Sequence, residues 1–397
     1  MIWLSLWVIP GFSVVQDSLE VRKIMQLSDS LRMRYAPDKR TALFELSADS
    51  VPSLIYRLET TEREAAEAFL REKENQGIRL PVQVQLLPDP KSDMPVAGIV
   101  RLSVSNMRVQ PRHQAELATQ LLLGTQVTIL KKAGNYYLVQ APDRYIAYMD
   151  PAGLVPIDSA PLAEWQATPK VIFTDDYGHA YTAPDPSSER ISDLVLGNVL
   201  RYEGISGGFT RVGYPDGRSG YIPSGSIQRY DKWLAAAETT ADRVIRTAKS
   251  MMGLPYLWGG TSVKGVDCSG FTKTSFHMNG LMIPRDASQQ VLEGVPVDIL
   301  SSDGSLDTVL ALRNLKPGDL LFFAAAKGRQ PDPRVTHVAL YTGGGTFIHA
   351  AGQVRVNSLL SSAPDYDAQQ AQTIVAARRF IGVDKSSGLV SLKSLTP

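Results

Sequence analysis

One cysteine occurs in the 397 residues. That scarcity excludes an intramolecular disulfide framework and any zinc site built on several cysteines. It leaves room for a lone nucleophile. Net charge is equally scarce: 41 Lys and Arg stand against 40 Asp and Glu, a formal +1. The chain therefore lacks the basic field that a nucleic-acid partner requires. No apolar run reaches the ~20 residues a membrane-spanning helix needs, so no membrane span is expected. Histidine is limited to five residues, which keeps the search for a general base short.

At ~100–200 residues per domain, the length implies two to four domains. The uncharged run from Ile2 to Val15 reads as the apolar part of a secretory signal segment over 1–15, although a basic start and a clean small-x-small cleavage site are missing. A buried N-terminal strand is the alternative. Export of a protein without a lipid anchor is expected, because no cysteine lies near this segment. Residues 16–96 read as an N-terminal helical segment. The stretch Glu62–Lys73 is rich in helix formers, with Thr61 as cap and Glu64 completing a capping box. Its charges read as a solvated face without chemistry. Over 97–157, Ile99–Val104, Gln126–Leu130, Tyr136–Gln140 and Tyr145–Met149 alternate or run apolar between turn residues, the pattern of a small β-barrel. Residues 165–229 repeat it: Leu196-Gly197 parallels Leu123-Gly124, and Asp216–Ile222 parallels Asp143–Ile146. A helical stretch from Ala235 to Met252 leads into a last domain over 235–384.

That domain holds the cysteine. Asp267-Cys268-Ser269-Gly270 forms a glycine-containing turn, followed by a run from Phe271 to Phe276 that can continue as a buried helix. A thiol at a helix N-terminus meets the positive end of the dipole, which lowers its pKa. The unpaired N–H groups there can form an oxyanion hole. The alternative is an inert, buried cysteine. His337 and His349 lie on two strand-like runs either side of Thr342–Gly345, a strong hairpin turn. They can face each other across it, one as base and the other fixing its tautomer. Taken singly, each is also a satisfied strand histidine. A Cys268-His337-His349 zinc site lacks the usual short ligand spacings, so neither metal nor cofactor is expected. His113, His179 and His277 receive no role, and Asp319 is expected to hold a turn.

Asp267–Phe271, His337–Tyr341, His349-Ala350, Pro284-Arg285-Asp286 with Gln289-Gln290, and Pro317–Phe323 together resemble the NlpC-type papain-like cell-wall cysteine peptidases. The two barrels resemble bacterial SH3-like domains. The whole arrangement is similar to the gamma-D-glutamyl-L-diamino-acid endopeptidases, or dipeptidyl-peptidase VI enzymes. The resemblance implies an α+β fold, in which helices pack on a small antiparallel sheet behind two SH3-like barrels and the N-terminal helical segment. It implies that Cys268 attacks the γ-D-glutamyl carbonyl joining D-Glu to meso-diaminopimelate or lysine, with His337 as base, His349 as its orienter and the Tyr256 hydroxyl near the oxyanion. It further implies that the first barrel closes one end of the groove, so that stem peptides with a free L-Ala amine fit and L-Ala-D-Glu is released. Candidate contacts there are Asp267 and Ser269, Glu116 and Tyr148 from the barrel, and Trp258 and Asp286 as walls. The family can carry serine directly after its Arg-Asp pair; here Ala287 follows and the serine is Ser288. Blander readings stand beside these: Asp267 as a helix cap, Tyr148 and Trp258 as packing, Glu116 as a surface charge. The alternative functions are hydrolysis of intact cross-linked wall, or wall binding without productive catalysis.

Overall fold

The computed structural model describes residues 12–49, 55–330, 333–383 and 388–395. Most of the expected signal segment lies outside them, and a helix, Phe12–Tyr35, begins within its last residues. Among the described residues no helix is long and apolar enough to cross a membrane.

The N-terminal segment is not the helical unit expected. Ile24, Leu27 and Leu31 bury one face of the first helix, at spacings of three and four. They pack on a three-stranded sheet. Phe44–Asp49 runs antiparallel to Ile55–Thr60, which is parallel to Val82–Leu86. In Ile55–Thr60, Tyr56, Leu58 and Thr60 are buried in strict alternation, a period-two signal masked by the helix-forming run beside it. That run does form a helix, Arg63–Asn75, but Glu62 is its N-cap and no side chain caps it. The expected capping box is absent because the Thr61 hydroxyl is engaged elsewhere: it donates to the Glu62 carboxylate and accepts from the Leu43 N–H.

Two seven-stranded antiparallel sheets follow, closed around separate cores. The first spans Ala97–Ile157 about Met107, Ile129, Val139 and Met149. The second spans Lys170–Arg229 about Phe173, Leu194, Leu200 and Val212. The two barrels meet at the repeated Leu-Gly turns. Gly124 and Gly197 both have positive φ, and the Val199 N–H donates to the Leu123 carbonyl at 2.9 Å. A Cβ on Gly124 would sit 2.2 Å from the Val199 carbonyl oxygen, so this seam admits only glycine.

The last domain is built on a six-stranded antiparallel sheet, in the order Val295–Pro296, Ile374–Arg379, Leu320–Phe323, His337–Gly343, Thr346–Ala351, Gln353–Ser358. Alternate residues serve two cores. Leu320, Phe322, Val338 and Leu340 pack against the helices Ala241–Ser250 and Cys268–His277. Leu321, Phe323, Ala339 and Tyr341 pack beneath the helix Thr308–Asn314. Asp319 accepts from the Lys316 N–H across a turn and pairs with Arg379.

Candidate active site

Cys268 is the first residue of its helix, with Asp267 as N-cap. Asp267 Oδ1 accepts from the Gly270 N–H at 2.7 Å, satisfying one of the orphan donors of the first turn. A Cβ on Gly270 would lie 2.0 Å from the Gly260 carbonyl oxygen, so glycine is what lets the helix start press against the Tyr256–Gly260 loop. The thiol is buried, with the backbone N–H groups of Val338 and Ser269 on the side that favours its charged form. Val338 directly follows His337, so the sulfur lies against the start of the histidine strand.

The hairpin forms through Gly344 and Gly345, both at positive φ, as a two-residue turn of this hand requires. Register pairs Leu340 with Ile348, which sets the two histidines diagonally rather than directly opposite. Their rings meet nearly edge-on, and His337 Nε2 lies 2.8 Å from His349 Nδ1.

The proton positions follow from a residue the sequence reading missed, Asn357. Its Nδ2 donates to the Asp365 carbonyl, which can only accept, so its Oδ1 faces His349 Nε2 at 3.1 Å. His349 Nε2 therefore carries a hydrogen and its Nδ1 accepts from His337 Nε2–H. That leaves His337 Nδ1 as the lone pair free to take a proton. Arg355 Nε sits 3.5 Å from His349 Nε2, too far to displace the asparagine contact. The sequence signal for Asn357 was present: it pairs with Phe347, two residues from His349, across a second tight hairpin at Gly352.

Burial pushes the His337 imidazole down to about 3, helped by His349 and Arg355. Burial likewise takes His349 down to about 4, against the Asn357 hydrogen bond. The expected lowering of the thiol pKa is reversed. Burial and the neighbouring Asp267 carboxylate push Cys268 up to about 12, outweighing the N–H groups of Val338 and Ser269 and the Arg285 guanidinium. Both shifts favour the uncharged forms, thiol and imidazole. Burial, then the proximity of Cys268 and Asp267, holds the Tyr256 hydroxyl protonated, so it remains a donor at the edge of the groove. A pocket of about 250 Å³ opens beside Tyr256 and His337, with Thr336, Gln369 and Gln370 on its wall. Among the described residues no group of three or more His, Cys, Asp or Glu gathers to hold a metal ion.

The other candidate residues divide. Asp267 accepts five hydrogen bonds: from Gly270 N, Gly259 N, Ser269 Oγ and two nitrogens of Arg285. A carboxylate offers about four lone-pair sites, so none remains for a ligand. Ser269 Oγ is similarly held by Arg285 at 3.0 Å. Arg285, part of the Pro-Arg-Asp motif but given no role of its own from sequence, is fully buried and also donates to Thr119 Oγ1 of the first barrel at 2.7 Å. Trp258, exposed, donates its indole N–H to Glu116 Oε1 at 2.7 Å, joining loop and barrel. Tyr148 is not with them. It packs on Leu87, Leu130, Leu138 and Ile146, on the barrel's outer side. The tyrosine that reaches Asp286 is Tyr145, whose hydroxyl donates to Asp286 Oδ2 at 3.2 Å. Odd and even residues of that strand face opposite ways, and the barrel core takes the face of Tyr145, Ala147 and Met149. Ser288 accepts from Arg40 Nη1 at 3.0 Å.

Residues 253–373 match the NlpC/P60 family, and residues 107–154 match the bacterial dipeptidyl-peptidase SH3 domain. A Lysinibacillus sphaericus protein, dipeptidyl-peptidase 6, is 30% identical over 296 residues, covering 70% of this chain and 97% of its own length. The gamma-D-glutamyl-L-lysine dipeptidyl-peptidase of Bacillus cereus is 31% identical over 277 residues, 67% of this chain and 76% of that protein. The crystal structure of an NlpC/P60 family protein from Bacillus cereus superposes with a TM-score of 0.59 at 26% identity, over 72% of this chain and 99% of that one.

Proposed function

The chain belongs to the NlpC/P60 family and is a cysteine peptidase of the dipeptidyl-peptidase VI-like kind, and on that premise we propose that it cuts peptidoglycan stem peptides between γ-D-Glu and the diamino acid, releasing L-Ala-γ-D-Glu. Cys268 is the nucleophile, His337 the base and His349 the residue that orients it. As the sulfur bonds to the γ-carbonyl carbon, its proton passes to His337 Nδ1. The carbonyl π pair becomes an oxyanion beside the helix-start N–H groups and the Tyr256 hydroxyl. Collapse breaks the C–N bond, and the diamino acid leaves by taking the proton from His337. Water, deprotonated by the same imidazole, then hydrolyses the thioester and returns the thiol.

The observation that supports the substrate reading is the pair of contacts between the first barrel and the catalytic domain. Trp258 and Glu116 meet across the domain boundary, with Tyr145 on Asp286. Carboxylates and hydroxyls of this kind suit an ammonium, such as the free amine of L-Ala. The pocket beside His337, lined by Thr336, Gln369, Gln370 and Thr373 together with Phe323 and alanines, supports reading it as room for the diamino acid. The uncharged run at residues 2–15 supports export. The test is a comparison of L-Ala-γ-D-Glu-L-Lys with its N-acetylated form. Cleavage of the free peptide alone is expected; equal cleavage of both, or of intact sacculi, contradicts the reading.

A further inference from the structure

A turn of the N-terminal segment reaches Asp286, Ser288 and Gln289 of the catalytic domain. Arg40 forks onto Asp38, with Nε to Oδ1 at 2.8 Å and Nη2 to Oδ2 at 2.7 Å. Its remaining Nη1 donates to Asp286 Oδ2 at 2.7 Å and Ser288 Oγ at 3.0 Å. Asp38 Oδ2 also accepts from Gln289 Nε2 at 2.8 Å, and Gln289 Oε1 accepts from the Asp286 N–H at 3.1 Å. The turn is itself gripped by the first barrel. The Ile146 N–H donates to the Arg40 carbonyl at 2.6 Å, and Gln140 Nε2 donates to the Thr41 carbonyl at 3.0 Å. Asp286 Oδ2 thus takes donors from two directions: Arg40 of the N-terminal segment and Tyr145 of the barrel.

We propose that Asp38 and Arg40 are positioning residues for substrate specificity, fixing the place of Asp286 and Ser288 where the amine of the substrate would bind. This rests on the free-amine reading above. The guanidinium bridges two carboxylates, those of Asp38 and Asp286. Burial alone would pull the Arg40 pKa down, but hydrogen bonds and charge from both carboxylates hold it up, so the bridge is permanently cationic. Without it the Asp286 carboxylate keeps the Tyr145 hydroxyl and the Arg285 guanidinium at 3.8 Å, and no direct contact ties it to Asp38. A lysine can restore the charge but not the planar fork. The N-terminal segment is therefore a third wall of the binding site and not a spacer ahead of the barrels.

The experiment measures kcat and KM of the full chain on L-Ala-γ-D-Glu-L-Lys and on its N-acetylated form, for the parent, Arg40→Ala, Arg40→Lys and Asp38→Asn. Loss of one charged hydrogen bond is expected to raise KM for the free peptide about tenfold in Arg40→Ala, with kcat within about twofold. Arg40→Lys recovers part of that loss, and Asp38→Asn shows a weaker form of it. Alkylation of Cys268 by iodoacetamide at the parent rate checks that the catalytic domain is intact in each variant. If the parent discriminates and Arg40→Lys and Asp38→Asn keep its KM and its preference, the role of the pair is overturned while the free-amine reading stands. If the parent itself cleaves both peptides equally, the free-amine reading fails and takes this proposal with it.

Discussion

His337 Nε2 and His349 Nδ1 are 2.8 Å apart, and the direction of the proton between them is set by Asn357 on the next strand. A neutral base with its lone pair aimed away from that contact is the state general-base attack requires.

Replacing Asn357 with Ala removes the acceptor that fixes this tautomer. A hydrogen bond worth ~1 kcal/mol translates to a fall in kcat of about five- to tenfold, with KM little changed. Asn357→Asp puts a negative charge beside His349, favours its protonated form, and is expected to move the acid limb of kcat/KM to higher pH. Steady-state kinetics across pH for both variants check this.

The pH dependence has a definite sign. His337 and His349 are depressed to about 3 and about 4 by burial, and the half-buried His277 also to about 4, by loss of solvent and then by Lys273. Activity should therefore persist below pH 6.5, the ordinary imidazole value. Stability runs the same way. Below 6.5 the unfolded chain binds protons that the folded one refuses, so this stabilisation is complete above 6.5 and is lost as pH falls toward the folded values. Urea unfolding at pH 7 and pH 5 should show a loss on the order of 2 kcal/mol for each such histidine.

Arg285 and Asp267 form a buried ion pair, 2.6 Å at its shorter contact, with side chains 1% and 10% exposed. Arg285→Ala strands a buried carboxylate beside the nucleophile, and removing one partner of such a pair costs about 3–5 kcal/mol. Denaturant unfolding of the full chain is expected to show the catalytic transition at markedly lower denaturant, with slower alkylation of Cys268.

Local features were legible in the sequence. Cys268 opens a helix because Asp267 caps it and Gly270 permits the close approach, and both lie within a few residues of it. The glycines at 343–345 announced the histidine hairpin. What escaped was set by distant contacts or by competing patterns. Arg40 meets Asp286 across 246 positions, and nothing in a charged stretch distinguishes a buried clamp from a solvated face. Tyr145 and Tyr148 lie on opposite faces of one strand end, and only the direction of the barrel core decides between them. The N-terminal sheet was hidden by adjacent helix formers. The thiol's pKa went the other way because the helix start sits in a buried site next to a carboxylate.

The central claim is that Cys268 forms and breaks the acyl link to γ-D-Glu. Mass spectrometry of L-Ala-γ-D-Glu-L-Lys incubated with the parent and with Cys268→Ala tests it most directly. L-Ala-γ-D-Glu and free lysine are expected from the parent and uncut peptide from the variant. Release of the same dipeptide by Cys268→Ala at the parent rate would contradict it.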